Sequence, residues 1–354
     1  MDPSALIPIP DSIPVHWGWF KFLLILTFVL HLLLMNLMLG GGLLALGRRL
    51  RGQAPTEEAR SLPVLIALTI NLGIPPLRFV QVLFGQFLYT SSVLMAVGWI
   101  LVIPILIAAY YAAYGFVHGE KGGGTAGTVW LFISTLLMLF IGFMLSNNMT
   151  LMLRPERWNV YFAQPGGTYL NLSEPTLIPR YLHFVMASVA VAGLGRAIYY
   201  RIRGPRDGEG AGNESQHEKE VRGGLRIFGW STLVQMAIGL VFWMLLPERI
   251  NRLFMGTSLV HTFHLWIGVL LAALAVHFAF RGRVWLTTIL TLVTIVLMVV
   301  VRDMVRTAYL EPVFHLGDLT VVPQANPLVF FLISLVVVTG VLYWMLRQAW
   351  KAKA

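Results

Sequence analysis

Apolar stretches of 18 residues or more recur along the whole chain, and they constrain its fold more than any other feature. Each stretch is long enough to cross a hydrocarbon layer of about 30 Å as a helix. Only 12% of the residues are charged, about half of the fraction in a typical soluble domain, and the mean hydropathy is +0.74. The sequence therefore predicts an all-α fold, a polytopic bundle of membrane-spanning helices.

Nine spans are predicted, and together they form a single membrane domain over residues 1–354. A charged, glycine-rich segment at 202–225 separates the first five spans from the last four and is expected to be a mobile cytoplasmic loop. The largest loop on the opposite side, 153–178, carries several aromatic residues and is expected to form a structured cap at the membrane surface. The spans are predicted at about 18–46, 61–85, 88–114, 128–152, 179–201, 226–246, 257–280, 284–303 and 327–347.

The distribution of basic residues predicts the orientation of the chain. Of the 26 lysines and arginines, 17 lie on the side that carries the 202–225 loop and nine on the other side. Because loops rich in Lys and Arg stay in the cytoplasm, we expect the N-terminus outside and the C-terminus in the cytoplasm. The basic residues sit at the ends of apolar runs, where they set topology. The net charge of +10 therefore does not indicate a nucleic-acid partner.

Four histidines within the predicted spans are candidate metal ligands. The chain has no cysteine, so a metal centre here must use histidine, methionine or carboxylate ligands. His183 in span five and His261 and His264 in span seven lie within roughly 10 Å of the same depth, and His31 lies near the middle of span one. Neutral imidazoles on facing helices can ligate a haem iron from both sides. The alternative is that each histidine only hydrogen-bonds to a neighbouring helix.

Charged residues inside the spans are scarce. Asp303 is the only acidic residue within a predicted span, and it lies between Arg302 and Arg306, with Arg180 at a similar depth. These arginines could pair with haem propionates, or they could instead extend to the membrane interface. Proton delivery to a buried oxygen-reducing site generally needs acids or histidines at depth. We therefore expect no proton pumping and little oxygen reduction by this chain.

Three stretches resemble subunit I of the cytochrome bd quinol oxidases. They are "WFKFLLILTFVLHLLLMNLMLGGGLLAL" in span one, "GFMLSNNMTLMLRP" at the end of span four and "RYLHFVMAS" in span five. In that family a histidine of the first helix and the histidine of an Arg-x-x-His helix ligate haem. The resemblance implies that His31 and His183 are haem ligands. Nine spans with the N-terminus outside also match the family, which implies a prokaryotic cytoplasmic membrane.

The chain departs from the family pattern at several functional positions. In span seven, "TFHLWIG" places His264 and Trp266 where the family has Arg-x-Met, so the methionine ligand is absent. A low-spin b haem held by His183 and by His264, or by His261 one turn away, reconciles these observations. Asp303 falls at the family's glutamate that ligates the high-spin b haem. Span three lacks the family's carboxylates, and the outside loop that forms the quinol site is reduced to "PERINRLFMGT".

The favoured function is a haem-b electron-transfer subunit of a respiratory complex. It would contain one, two or more b haems, the second near His31, and would move electrons between quinone and a redox partner on the outer face. That partner would be a c-type cytochrome or an iron–sulfur protein. Two alternatives remain: a divergent bd-type terminal oxidase with a high-spin haem that binds CO, and a transporter or membrane anchor without haem.

Overall fold

The computed structural model describes residues 3–53, 57–121, 125–204 and 211–351. These residues contain no β-strand, only an isolated backbone bridge between Ile13 and Val321, so the all-α fold is confirmed. The α-helices are α1 (Trp17–Leu50), α2 (Leu62–Leu94), α3 (Ala96–Lys121), α4 (Ala126–Leu151), α5 (Leu177–Arg203), α6 (Ala211–Met244), α7 (Glu248–Arg252), α8 (Leu259–Phe280), α9 (Val284–Leu310) and α10 (Ala325–Lys351).

Eight of the described helices, α1 to α6 with α8 and α9, are long and apolar enough to cross a membrane. Helices suit that environment because lipid offers no hydrogen-bond partner to backbone groups. Large apolar side chains such as Ile100, Ile103 and Ile107 of α3 point away from the bundle, as lipid contact requires. The protein is therefore a multi-pass membrane protein. The ninth predicted span, 327–347, lies within α10, and the orientation of the termini stays a prediction.

The structure corrects the predicted loop at 202–225. Helix α5 continues to Arg203, and α6 begins at Ala211, so residues 211–225 are helical, while 205–210 lie outside the described residues. Val221 and Leu225 are buried in a core shared with α5, and Glu218 forms ion pairs with Arg222 at 3.3 Å and Arg201 at 3.6 Å. Although the segment is highly charged, its apolar positions recur at helical spacing and form the buried face of an amphipathic helix.

The second and third spans meet later in the chain than predicted. The predicted spans 61–85 and 88–114 break near Gln86, whereas α2 continues to Leu94. Phe84 departs from helical geometry, with φ −138° and ψ 30°, and marks a kink within α2. The chain therefore bends at Phe84 within one long helix instead of ending the helix near Gln86.

Helix α1 lies at the centre of the bundle and packs on α2, α4, α5 and α9. Helix α5 packs on α6, and α6 packs on α8, so α6 lies between α5 and α8. Helix α8 also packs on α9. Glycines permit the close approach of α5 and α6. A Cβ atom on Gly224 would lie 2.6 Å from the carbonyl oxygen of Gly193. Small residues at such contacts let membrane helices pack backbone to backbone.

The loop between α4 and α5 forms an ordered cap at the end of the bundle where α1 begins. Residues Pro155–Phe162 form a 3₁₀ helix, and Trp158 is buried with its indole Nε1 donating to the carbonyl oxygen of Leu151 at 3.1 Å. The backbone N–H of Tyr169 donates to the carbonyl oxygen of Leu94 at 3.1 Å. These bonds tie the predicted cap to the ends of α2 and α4.

Replacing Gly224 by valine should disrupt the packing of α5 on α6. The added Cβ would lie 2.6 Å from the backbone of α5, closer than atoms can approach, so the helices must separate. Overpacking of this kind costs about 1–3 kcal/mol. We expect a lower melting temperature in detergent. Gly223→Val is the matched control, because a Cβ there meets nothing within 4 Å. Equal melting temperatures for the two variants would show that the close contact is absent.

Candidate functional site

His183 of α5 is held in a defined orientation by α6. Its Nδ1 lies 3.1 Å from the carbonyl oxygen of Gln235, and its Nε2 lies 3.2 Å from the side-chain Nε2 of the same residue. A carbonyl oxygen can only accept a hydrogen bond, so Nδ1 carries the proton. In the neutral ring, Nε2 then carries the lone pair and accepts from the Gln235 amide. A neutral imidazole in this tautomer is competent to ligate a metal through Nε2.

Gly239 makes room for the His183 ring. A Cβ atom on Gly239 would lie 3.1 Å from both Cε1 and Nδ1 of that ring. Gly239 follows Gln235 by four residues, so it lies one turn along α6, next to the carbonyl that His183 uses. Helix α6 therefore supplies both the hydrogen-bond acceptor and the space for the ring.

His31 of α1 is held against α2 in the same way. Its Nδ1 lies 3.2 Å from the carbonyl oxygen of Thr69, and a Cβ on Gly73 would lie 2.9 Å from the ring Cε1. The acceptor and the glycine are again four residues apart on one helix. By the same reasoning Nδ1 is the protonated nitrogen and Nε2 carries the lone pair. Two of the predicted ligands thus share one structural arrangement.

The two histidines of α8 differ from each other. His264 Nδ1 lies 2.8 Å from the carbonyl oxygen of Val260 in its own helix, which fixes the proton on Nδ1. His261 Nδ1 lies 2.7 Å from the hydroxyl of Ser258, which can donate or accept, and its ring packs edge-on against Phe254. Of the two histidines of α8, His264 is therefore the one whose tautomer is set by a backbone carbonyl.

The predicted arginines converge near the capped end of the bundle. Arg180 of α5 lies close enough to Arg306 of α9 for the two charges to interact, and Arg302 of α9 interacts with both. Each guanidinium stacks on an aromatic ring of a different helix, which stabilises a cation where water is scarce. The Cζ-to-centroid distances are 5.1 Å for Arg180 on Phe242, 4.3 Å for Arg302 on Phe28 and 4.9 Å for Arg306 on Phe84. We call Arg180, Arg302 and Arg306 the arginine cluster.

Asp303 has cations on both sides of its carboxylate. Oδ2 lies 3.0 Å from Nζ of Lys21, and Oδ1 lies 3.6 Å from Nη2 of Arg306. The side chain is 5% exposed, so the carboxylate is a buried counter-ion. The Lys21 contact engages Oδ2, while Oδ1 has an ion-pair contact but no hydrogen bond within the described part of the chain. Ligation by Asp303 stays a prediction, and its surroundings do not favour it.

The arginine cluster carries more positive charge than its nearest acids balance. Asp303 is shared between Lys21 and Arg306, and the nearby Glu174 is engaged by Arg154. Within the described part of the chain, Nε of Arg180 and Nη1 of Arg306 are buried without a hydrogen-bond partner. A buried guanidinium nitrogen without a hydrogen-bond acceptor is costly. The chemistry of the cluster therefore favours an additional anion.

The ion pair of Arg154 and Glu174 fastens the cap over this region. Arg154 Nε donates to Glu174 Oε2 at 2.8 Å, the Thr176 hydroxyl donates to Oε1 at 2.8 Å, and the Arg154 guanidinium lies 5.5 Å from the ring centroid of Tyr309 in α9. Burial by itself raises the pKa of Glu174. The hydrogen bonds and positive charge of its partners outweigh burial, so the pKa of Glu174 is lowered.

The structure does not bring all the predicted ligands together. Among the described residues, no group of three His, Asp or Glu side chains could hold a metal ion, and no hydrogen bond or ring contact joins His183 to His261 or His264. No protein family matches the chain, and no curated protein or solved structure is significantly similar to it. The function must therefore be inferred from the chemistry of the site.

Sequence reasoning missed several residues that build the site. Lys21 had a signal, because a lysine inside an apolar span generally has a partner at depth. Gly73 and Gly239 had a weaker signal, because glycine within a helix often marks a close approach. Nothing in the sequence indicated Gln235, because its contact with His183 depends on which helix packs against α5.

Replacing Glu174 by glutamine should weaken the cap and reduce its pH dependence. The lowered pKa means that the ionised carboxylate stabilises the folded protein above its ordinary pKa of about 4.3. That stabilisation is lost as the pH falls through the lowered pKa. Hydrogen bonds to charged groups contribute about 1.5–3 kcal/mol, so the variant should melt earlier at pH 7.

The difference in melting temperature between wild type and Glu174→Gln should shrink below about pH 4. Glu156→Gln is the control, because Glu156 also pairs with Arg154 at 3.1 Å but is largely exposed. A constant difference between wild type and Glu174→Gln from pH 7 to pH 3 would contradict the role of the ionised carboxylate.

Proposed function

We propose that this chain is a haem-b-binding electron-transfer subunit of a respiratory complex in a prokaryotic cytoplasmic membrane. One observation carries the proposal. His183, with a lone pair on Nε2, and Arg180, which belongs to a cluster short of anions, lie three residues apart on α5. Residues at this spacing share a helix face, and both side chains contact α6. A haem b presents an iron and two carboxylates, the two chemistries that this face can bind.

The surroundings of His183 fit an axial ligand. Metal-bound histidines almost always donate their second ring N–H to a carbonyl or carboxylate, which fixes the tautomer and the ring orientation. The carbonyl of Gln235, 3.1 Å from Nδ1, would have that role if His183 ligates iron. The Gln235 side-chain amide, which now donates to Nε2, would have to turn away to release the lone pair.

The arginine cluster fits the propionates of haem b. Two carboxylates would supply the anionic charge that the cluster lacks and would offer acceptors to Arg180 Nε and Arg306 Nη1. Arginine is suited to such pairs because its planar guanidinium binds carboxylates through two parallel hydrogen bonds.

His264 is the favoured second ligand. Its Nδ1 bond to the Val260 carbonyl leaves the Nε2 lone pair available, whereas the Ser258 hydroxyl leaves the tautomer of His261 open. Helix α6 packs on both α5 and α8, so it supports both helices that carry the proposed ligands. His31 has the same carbonyl-and-glycine arrangement as His183 and lies near Arg302, which supports a second haem there.

A bound haem supplies one-electron chemistry, while the protein supplies binding and orientation. The arginine cluster lies beneath the cap that Arg154 and Glu174 hold in place. This position supports electron exchange with a redox partner on the outer face, a c-type cytochrome or an iron–sulfur protein. Membrane quinone would be the other reactant. The engagement of Asp303 by Lys21 and Arg306 supports electron transfer over oxygen reduction at a high-spin haem.

A transporter without haem is the second candidate, and one feature of α2 favours it. Pro75 and Pro76 lie inside this helix, and Phe84 interrupts its helical geometry. Interrupted helices form the substrate sites of many transporters. The spectrum of the purified protein separates the two functions, because a transporter of this kind has no Soret band. A CO-sensitive spectrum with oxygen uptake by this chain alone would instead indicate a divergent terminal oxidase.

Replacing His183 by alanine should abolish the low-spin haem signal. If His183 holds the haem iron together with a second histidine, removing its imidazole should abolish the low-spin α-band in the reduced-minus-oxidised spectrum. The measurement is the α-band per mole of protein, with total haem determined as pyridine haemochrome.

His277→Ala is the matched control for this experiment. His277 also lies in an apolar helix, near the opposite end of α8 from His264, and makes a ring contact only with its neighbour Phe278 among the described aromatic contacts. This variant should keep the wild-type spectrum. An unchanged α-band in His183→Ala would rule out His183 as a ligand.

A further inference from the structure

A second site lies at the opposite end of the bundle from the cap. It is a cavity of about 550 Å³ between the C-terminal ends of α1 and α5 and the first half of α6. We call it the basic pocket, because five basic side chains and one acidic side chain line it. They are Arg48, Arg51, Arg196, Lys219, Arg226 and Glu220.

Charge in the basic pocket is strongly positive. Glu220 forms an ion pair with Arg196, which is 8% exposed, and it is the only acid among the lining residues that the structure describes. Among the described lining residues, basic side chains therefore outnumber acidic ones within a single concave space. Arg51, Lys219 and Arg226 are exposed at the pocket, where they can reach an anion. Phosphate oxygens are the preferred anionic partners of such clusters of arginine and lysine.

The wall of the basic pocket becomes apolar towards the middle of the membrane. Leu43 and Leu44 of α1 line it six to seven residues before the end of that helix, about 10 Å deeper than Leu50. Val189 of α5 and Ile227 of α6 complete this apolar part. A ligand that fills the pocket therefore needs an anionic head and an apolar tail.

Two glycines keep the basic pocket open. A Cβ atom on Gly47 of α1 or on Gly223 of α6 would meet no atom within 4 Å, and both residues line the cavity. A Cβ at either position lies in open space, so a larger side chain there would extend into the pocket. The space is therefore sensitive to substitutions that leave the packing of the helices unchanged.

We propose that the basic pocket binds the phosphate headgroup of an anionic phospholipid, with an acyl chain along its apolar wall. The pocket lies where membrane helices end, which is the level of lipid headgroups. Basic pockets between membrane helices bind anionic lipid headgroups at this level. A soluble phosphate would use the same cations but would leave the apolar wall formed by Leu43, Leu44, Val189 and Ile227 uncovered. The pocket lies on the side predicted to be cytoplasmic.

The test measures retention of phosphatidylglycerol by the purified full-length chain. The protein is exchanged into detergent with equal amounts of phosphatidylglycerol and phosphatidylcholine, and bound lipid is counted by native mass spectrometry. We expect preferential retention of phosphatidylglycerol. Gly47→Leu and Gly223→Leu should lose this retention because their side chains fill the pocket. Gly41→Leu is the matched control, because a Cβ there also meets nothing within 4 Å, yet Gly41 is not in the lining.

Two charge variants test the headgroup interaction without filling the pocket. Arg51→Gln and Arg226→Gln change exposed side chains, and each should reduce phosphatidylglycerol retention about fivefold. Circular dichroism and gel filtration establish that every variant is folded before retention is compared.

Two results would overturn the proposal. One is equal retention of phosphatidylglycerol by Gly41→Leu and by both pocket-filling variants. The other is displacement of phosphatidylglycerol by the same concentration of soluble glycerol phosphate, which would assign the pocket to a soluble phosphate compound instead of a lipid. Neither result depends on haem, so the test is independent of the proposed electron-transfer function.

Discussion

The interior of a bilayer offers no hydrogen-bond partner, and the arrangement of this protein depends on that constraint. Helices satisfy the backbone, but polar side chains at depth must find partners on neighbouring helices. His31 and His183 do so through a backbone carbonyl that lies four residues before a glycine on the facing helix. Because this carbonyl can only accept, the same contact that satisfies Nδ1 prepares Nε2 as a metal ligand. A requirement of the membrane and a requirement of metal binding are met by one contact.

The two ends of the bundle use positive charge differently. Beneath the cap, the arginine cluster is stacked on aromatic rings. It contains buried guanidinium nitrogens that have no hydrogen-bond partner among the described residues, which suits a bound cofactor carrying carboxylates. At the other end, the basic pocket combines exposed cations with an apolar wall, which suits a lipid that exchanges with the membrane. The two sets of cations differ in burial. Removing a charge from water inside the protein costs much free energy, whereas a charge at the membrane interface stays hydrated.

Periodicity and apolar length predicted the fold class and most spans, because each span is a local property of the chain. These two signals gave a wrong prediction where the local composition is typical of a loop but tertiary packing stabilises a helix. Residues 211–225 read as a charged loop, yet Val221 and Leu225 pack on α5. The histidines and arginines were visible as unusual residues at depth. Their partners Gln235, Gly239 and Thr69 were not, because only the packing of α5 on α6 and of α1 on α2 brings them together.

The most direct test of the proposed function is the haem content of the purified wild-type protein. Pyridine haemochrome analysis identifies the haem type and its amount per chain, independently of any electron donor or acceptor. A haem-b electron-transfer subunit gives at least one haem b per chain, with a low-spin α-band on reduction. Protein that is folded and helical, expressed in cells with an ample haem supply, yet lacks both haem and a Soret band, would contradict the assignment of His183 and the arginine cluster to a haem site.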